Sequence, residues 1–214
     1  MGTHERKERE REQRRQDILT SARAAFVKCG LEQTSMDRIA QEAELAKGTL
    51  YLYFKNREEL IIALMSEDLE ALLQMLQKVS KRKQSADKKL LEAVKTFYRF
   101  SSNNEFFYRV ITQVNLHTSF SVAAAGDNAI RFCEQNERVM SHLKDLVQEG
   151  ADTGLFHLDH PPQYTVMLLM FSMKGSLIIH RNGMAPPNWT TIDAEQMLTD
   201  IAKIFIAGLK GDHK

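Results

Sequence analysis

The sequence predicts an all-α protein, with three short helices at the N-terminus and a larger helical domain behind them. Three observations carry that reading. The only prolines are Pro161-Pro162 and Pro186-Pro187, so the first 160 residues contain no residue that breaks the helical hydrogen-bond ladder by lacking an N–H. Apolar residues recur there at helical spacing almost without interruption. The gaps between periodic stretches are polar or glycine-bearing, as at Ser101-Ser102-Asn103-Asn104, Gly126, Gly154 and Asn182-Gly183.

The elements follow in order. Glu5 to Arg15 alternates charge sign and reads as a solvated, fraying lead-in to a first helix whose stripe is Ile18, Leu19, Ala22, Ala25, Phe26 and Cys29. Gly30 stands where a left-handed residue ends a helix. Ser35 is a suitable N-cap for a second helix that turns Met36, Ile39, Ala40 and Ala43 inward. A turn at Glu44-Leu45-Ala46 leads to a very short third helix, about Lys47 to Phe54. Asn56, three residues before Glu59, forms a variant capping box that opens a long helix through Leu60, Leu64, Leu69, Leu72, Leu76 and Val79. Further helices are expected over about Asp87 to Ser102, Glu105 to His117, Asp127 to Asp152, Pro162 to His180 and Asp193 to Leu209.

Composition limits the function classes. Of the 214 residues, 43% are hydrophobic and 27% charged, ordinary for a folded globular chain. Residues 1–57 hold 12 Lys and Arg against 9 Asp and Glu, and the remainder holds 17 against 19. The N-terminal part therefore tolerates a polyanion better than the rest. Cys29 and Cys133 are far apart and lack metal-ligand spacing, and no His pair at helical i,i+4 spacing argues for a metal. No metal and no cofactor are expected, and a reducing cytoplasm fits. Val166 to Ile179 is too short for a membrane span and is interrupted by Lys174. The sequence has no nucleophile elbow, P-loop, dinucleotide fingerprint or HExxH helix, so no catalytic residue and no enzyme activity are assigned.

The second and third helices with their tight turn have the layout of a helix-turn-helix. On the third, Leu50 and Phe54 share one face and pack inward. Lys47, Thr49 and Tyr53 occupy the open side with Tyr51 at its edge, offering an ammonium and hydroxyls to phosphates and base edges. Gly48 permits close backbone approach. Taken alone, YLYF at this spacing is more often plain core.

The register of GLEQTSMDRIAQEAELAKGTLYLYFKNREEL, residues 30–60, decides between those readings. It resembles the DNA-binding domain of the TetR (tetracycline repressor) family through Thr34-Ser35, Ile39-Ala40, Ala43, Leu45, Lys47 to Tyr51, Tyr53-Phe54 and Glu58-Glu59-Leu60. The resemblance implies that Ser35, Lys47, Tyr51, Tyr53 and Lys55 grip phosphates while Thr49 and its neighbours read bases. It implies domains at 1–56 and 57–214, the first binding a double-stranded DNA operator, the second binding a small-molecule effector and pairing two subunits. This chain has Glu44 where the family often has Gly, and Ala46 where it often has Ser. In the charged arm, Arg14 and Arg15 are the better candidates for DNA contact.

In the larger domain, Phe97, Phe100, Phe107, Val110, Phe120, Phe132, Met140, Met167 and Phe171 are candidate walls of an apolar effector cavity, with Asn115, His117 and Arg131 as polar anchors. The helix Val166 to Ile179 is apolar around nearly its whole circumference and needs cover on more than one side. Ser172, Gly175 and Ser176 allow close approach, and Ile179, Met197, Ile201 and Phe205 complete a candidate homodimer interface. At this point three functions stand: an effector-released repressor, a DNA-binding regulator without effector, and a helical ligand-binding protein whose DNA binding has decayed.

Overall fold

The computed structural model describes residues 3–113, 126–183 and 193–211, and all regular structure among them is helical. The helices are α1 (Thr3–Cys29), α2 (Met36–Glu42), α3 (Lys47–Tyr53), α4 (Arg57–Ser80), α5 (Ala86–Ser102), α6 (Glu105–Gln113), α7 (Gly126–Asp152), α8 (Pro162–Arg181) and α9 (Ala194–Lys210). The charged lead-in does not fray: α1 is helical from Thr3, held along its exposed length by i,i+4 pairs such as Arg6–Glu10 at 2.8 Å. Gly30 takes φ +92 at the end of α1, the left-handed conformation that its position required.

The first three helices close over a small core. Ile18, Ala22 and Phe26 of α1, Ile39 of α2, and Leu50 and Phe54 around α3 are all fully buried. Burial of side chains of this size stabilises by about 1.5–3 kcal/mol each, which is what holds a helix as short as α3 in place. That core runs without a break into the larger domain, where α4 lies along α7, α5 packs on α7 and α9, and α8 packs on α7 and α9. A connection between α7 and α8 is set by Gly150: Leu155 and Phe156 both donate N–H bonds to its carbonyl, and the Phe156 ring fills the space a Cβ would need.

Three polar junctions tie the head to the body. Arg57, first residue of α4, donates to the carbonyls of Leu31 and Glu32, both at 3.1 Å. Arg15 of α1 stacks over Phe54 and reaches Asn128 Oδ1 on α7, while Asn128 Nδ2 donates to Glu59 Oε1 on α4. Arg23 of α1 donates to Asp68 Oδ2 on α4 at 2.9 Å and to Asn104 Oδ1 at 3.3 Å, and lies over the Phe106 ring. Asn104 in turn donates to Asp68 Oδ1 and caps α6 through Phe107 N–H. Burial pushes the Asp68 carboxyl above the usual range, and the bonds from Arg23 and Asn104 oppose that push. Arg15 is thus engaged inside the fold, which corrects its expected place on the DNA; Arg14 is exposed.

Candidate functional site

The turn between α2 and α3 is a Schellman motif. Leu45 N–H reaches Ala40 O at 2.9 Å, Glu44 N–H reaches Gln41 O at 3.1 Å, and half-buried Leu45 packs against the core. Glu44 occupies its left-handed position with φ 53, the only such non-glycine among the described residues. Ala46 stands at the N-cap of α3 and makes no side-chain cap bond. Both departures from the family pattern therefore have local structural consequences, one of backbone strain and one of a missing cap.

Behind this turn α3 presents one open face. Lys47 and Gly48 are exposed, Thr49 is half-buried, Tyr51 is exposed and Tyr53 rests its ring against the core. The hydroxyls of Thr49, Tyr51 and Tyr53 make no hydrogen bond to any described residue. Lys47 Nζ pairs with Asp37 Oδ1 of α2 at 2.6 Å, and that hydrogen bond with its opposite charge raises the lysine pKa. Lys47 is pre-aimed along the α2–α3 surface by a partner that is itself solvent-exposed. Ser35 is exposed and its Oγ accepts from Arg38 N–H at 3.3 Å, so it caps α2 as expected. Lys55 is exposed at the end of the face, and its N–H donates to Glu59 Oε2 at 2.6 Å while Asn56 Oδ1 accepts from Glu59 N–H at 2.7 Å. This variant of a capping box, in which Glu59 reaches the residue before the N-cap, joins the last residues of the head to the first turn of α4. Sequence reasoning missed Leu52, which lies 78% exposed on α3 where an apolar side chain suits a thymine methyl group. Its signal was its register: it falls opposite Leu50 and Phe54.

In the larger domain a cavity of about 180 Å³ lies between α4, α5, α6, α7 and α8. Phe97, Phe107, Phe132 and Met140 line it, together with Met65, Leu69, Leu72 and Leu76 of α4. The other candidates fall elsewhere. Val110 is sealed in the core, Phe100 packs edge-on to Phe107 away from the wall, and Arg131 is exposed. Met167 and Phe171 point out of α8, Phe171 to 64% exposure, because the inward face of that helix is taken by Val166, Leu169, Met173 and Leu177. Asn115, His117 and Phe120 lie outside the described residues. The polar wall residues that sequence reasoning did not assign are Asn136 and Lys174.

The outward face of α8 carries Tyr164, Met167, Leu168, Phe171 and Ile179, and Ile204 of α9 is 72% exposed. On that helix Ser172 Oγ donates to Leu168 O and Ser176 Oγ to Ser172 O, so both hydroxyls are satisfied within α8 and the face dehydrates at little cost. Ile179 lies on this face; Gly175 and Met197 are half-buried, and Ile201 and Phe205 rest against the subunit's own core. No helix of the described residues is long and apolar enough to cross a membrane.

The architecture is thus a helix-turn-helix head joined by one long helix to a helical body with an apolar cavity. Residues 18–64 match the model of the family described as "Bacterial regulatory proteins, tetR family". That match runs from the second half of α1 to the first turns of α4 and so covers the helix-turn-helix head. It is 28% identical over 102 residues to the fatty acid metabolism regulator protein of Bacillus subtilis (strain 168), a match covering 48% of this chain and 52% of that protein. It is 28% identical over 123 residues to the transcriptional activator FasR of Mycolicibacterium smegmatis, covering 58% of this chain and 56% of FasR. The chain thus spans about half the length of these two relatives. The HTH-type transcriptional regulator YhgD of Bacillus subtilis is 26% identical over 207 residues, 93% of this chain and 98% of YhgD. Among solved structures, the transcriptional regulator FadR from Bacillus subtilis in complex with stearoyl-CoA superposes with a TM-score of 0.72 at 19% identity, covering 90% of this chain and 98% of FadR. That likeness establishes the shared fold.

Proposed function

We propose that this protein is a sequence-specific DNA-binding transcriptional regulator of the bacterial cytoplasm. It binds a palindromic operator as a homodimer, and acts as a repressor released by a small, mostly apolar effector. The observation that carries the reading is the open face of α3. Lys47 and Tyr51 are exposed and Thr49 and Tyr53 half-buried along it, with the three hydroxyl groups unclaimed by the described fold. Ser35, Gly48 and Lys55 complete the phosphate-facing rim. In this reading 1–56 is the DNA-binding domain and 57–214 the effector-binding and dimerisation domain, with no catalytic residue in either.

The cavity supports the effector. Its wall includes α4, and α4 begins two residues behind Lys55, to whose N–H it is bonded through Glu59. An effector lowers operator affinity only by its preference for the form that holds the two heads wrongly spaced. Movement of α4 or α7 reaches the head through the Glu59–Asn128–Arg15 and Asp68–Asn104–Arg23 junctions.

The test is binding to the protein's own upstream DNA by fluorescence anisotropy across a salt series. Tyr53→Phe keeps the ring that packs on the core and removes only the hydroxyl; Lys47→Ala removes the ammonium. Both variants are expected to fold as wild type and bind more weakly, with Lys47→Ala lowering the salt slope by about one. Wild-type affinity and slope in both would remove α3 as the reading head.

A further inference from the structure

Among the described residues the wall of the cavity is apolar except at two places, Asn136 on α7 and Lys174 on α8. Neither side chain has a hydrogen-bond or ion-pair partner among the described residues. Lys174 is the one charge in the run from Val166 to Ile179, and its exposed position lets the ammonium stay hydrated while its stem borders the cavity. An ammonium has three donors and no acceptor, and an asparagine amide adds two more donors. Most of the wall rewards hydrocarbon; these two groups reward an acceptor, above all a charged one. Size supplies the second constraint. An apolar cavity of about 150 Å³ admits benzene, so the space of about 180 Å³ between these helices matches a single ring with a short substituent.

Resting on the effector reading above, we propose that the cavity selects a compact apolar monocarboxylate, its hydrocarbon between α4, α5 and α7 and its carboxylate at Lys174 and Asn136. Lys174 is then the specificity-determining residue for the anionic end. This ligand class differs from the stearoyl-CoA held by the FadR structure, and the two are distinguished directly by titration.

The experiment is isothermal titration calorimetry on the full-length protein with p-toluate, its neutral counterpart p-toluamide and stearoyl-CoA, against wild type, Lys174→Met and Asn136→Leu. The expected result is that wild type prefers p-toluate to p-toluamide by about tenfold or more. Lys174→Met should erase that preference while leaving p-toluamide affinity unchanged, and Asn136→Leu should reduce it. Circular dichroism on each variant confirms the fold. Equal affinity for the two small probes, or an undiminished preference in Lys174→Met, overturns the assignment of the anionic end. Binding of stearoyl-CoA without p-toluate overturns the compact ligand and leaves the effector function standing. If none of the three binds, the monocarboxylate proposal falls; whether an effector exists is then decided separately, by whether any small molecule releases the protein from its DNA.

Discussion

At the scale of single residues, the turn before α3 carries two local penalties. Glu44 holds φ 53, a conformation that costs an L-residue roughly 1–2 kcal/mol and a glycine almost nothing. The greater freedom of glycine in the unfolded chain returns part of that difference. Glu44→Gly is therefore expected to stabilise the protein by up to about 1 kcal/mol in urea unfolding, and to tighten DNA binding by removing a negative charge from the head. Loss of stability would show that the side chain makes a contribution larger than its strain. Ala46→Ser supplies the missing N-cap and is expected to add about 0.5–2 kcal/mol by the same measurement. These two positions were legible in the sequence because each departs from a pattern whose physical reason is known. Lys174 was visible as well, but only as a charge that spoils a membrane span; that it borders a cavity depends on five helices meeting, which no local pattern encodes.

At the scale of elements, the α6 cap is where the cavity wall meets the head. Phe107 lines the cavity, its N–H is capped by Asn104, and Asn104 also joins Asp68 and Arg23. A part-buried ion pair of this kind is a weak source of net stability and a good device for fixing register, since an apolar contact would tolerate slippage. Asn104→Ala is expected to cost about 0.5–2 kcal/mol through loss of the cap. It should also reduce the effect of any cavity ligand on DNA affinity; an unaltered response would place the coupling entirely in α4 and α7. Element order was legible from proline placement, periodicity and capping residues, and helix ends within the described residues fell within a few residues of expectation, while the expected end of the sixth helix at His117 lies outside them. The faces of α8 were less so. A helix apolar on nearly all sides gives no phase to its hydrophobic pattern, and Met167 and Phe171 were for that reason placed on the cavity when they face outward.

At the scale of the whole molecule, α8 leaves Tyr164, Met167, Leu168, Phe171 and Ile179 exposed, and Ile204 of α9 is 72% exposed. Exposed apolar side chains grouped on one helix face mark a candidate interaction site. For the homodimer proposed above to read adjacent major grooves, a twofold pair across this face must set its two α3 helices about 34–36 Å apart. Phe171→Asp is expected to shift the protein from dimer to monomer in sedimentation equilibrium and to weaken operator binding although α3 is untouched; a stable dimer in that variant would move the interface elsewhere. The sequence led us to expect Ser172, Gly175 and Ser176 on a paired face; Ser172 is exposed and Gly175 and Ser176 are half-buried, whereas Ile201 and Phe205 rest on the subunit's own core. The central claim, that α3 reads DNA as one half of a symmetric pair, is tested most directly by selecting bound fragments from random-sequence DNA at fixed salt. The account predicts enrichment of an inverted repeat with half-sites about one helical turn apart. Recovery of sequences no different from the starting pool would contradict it.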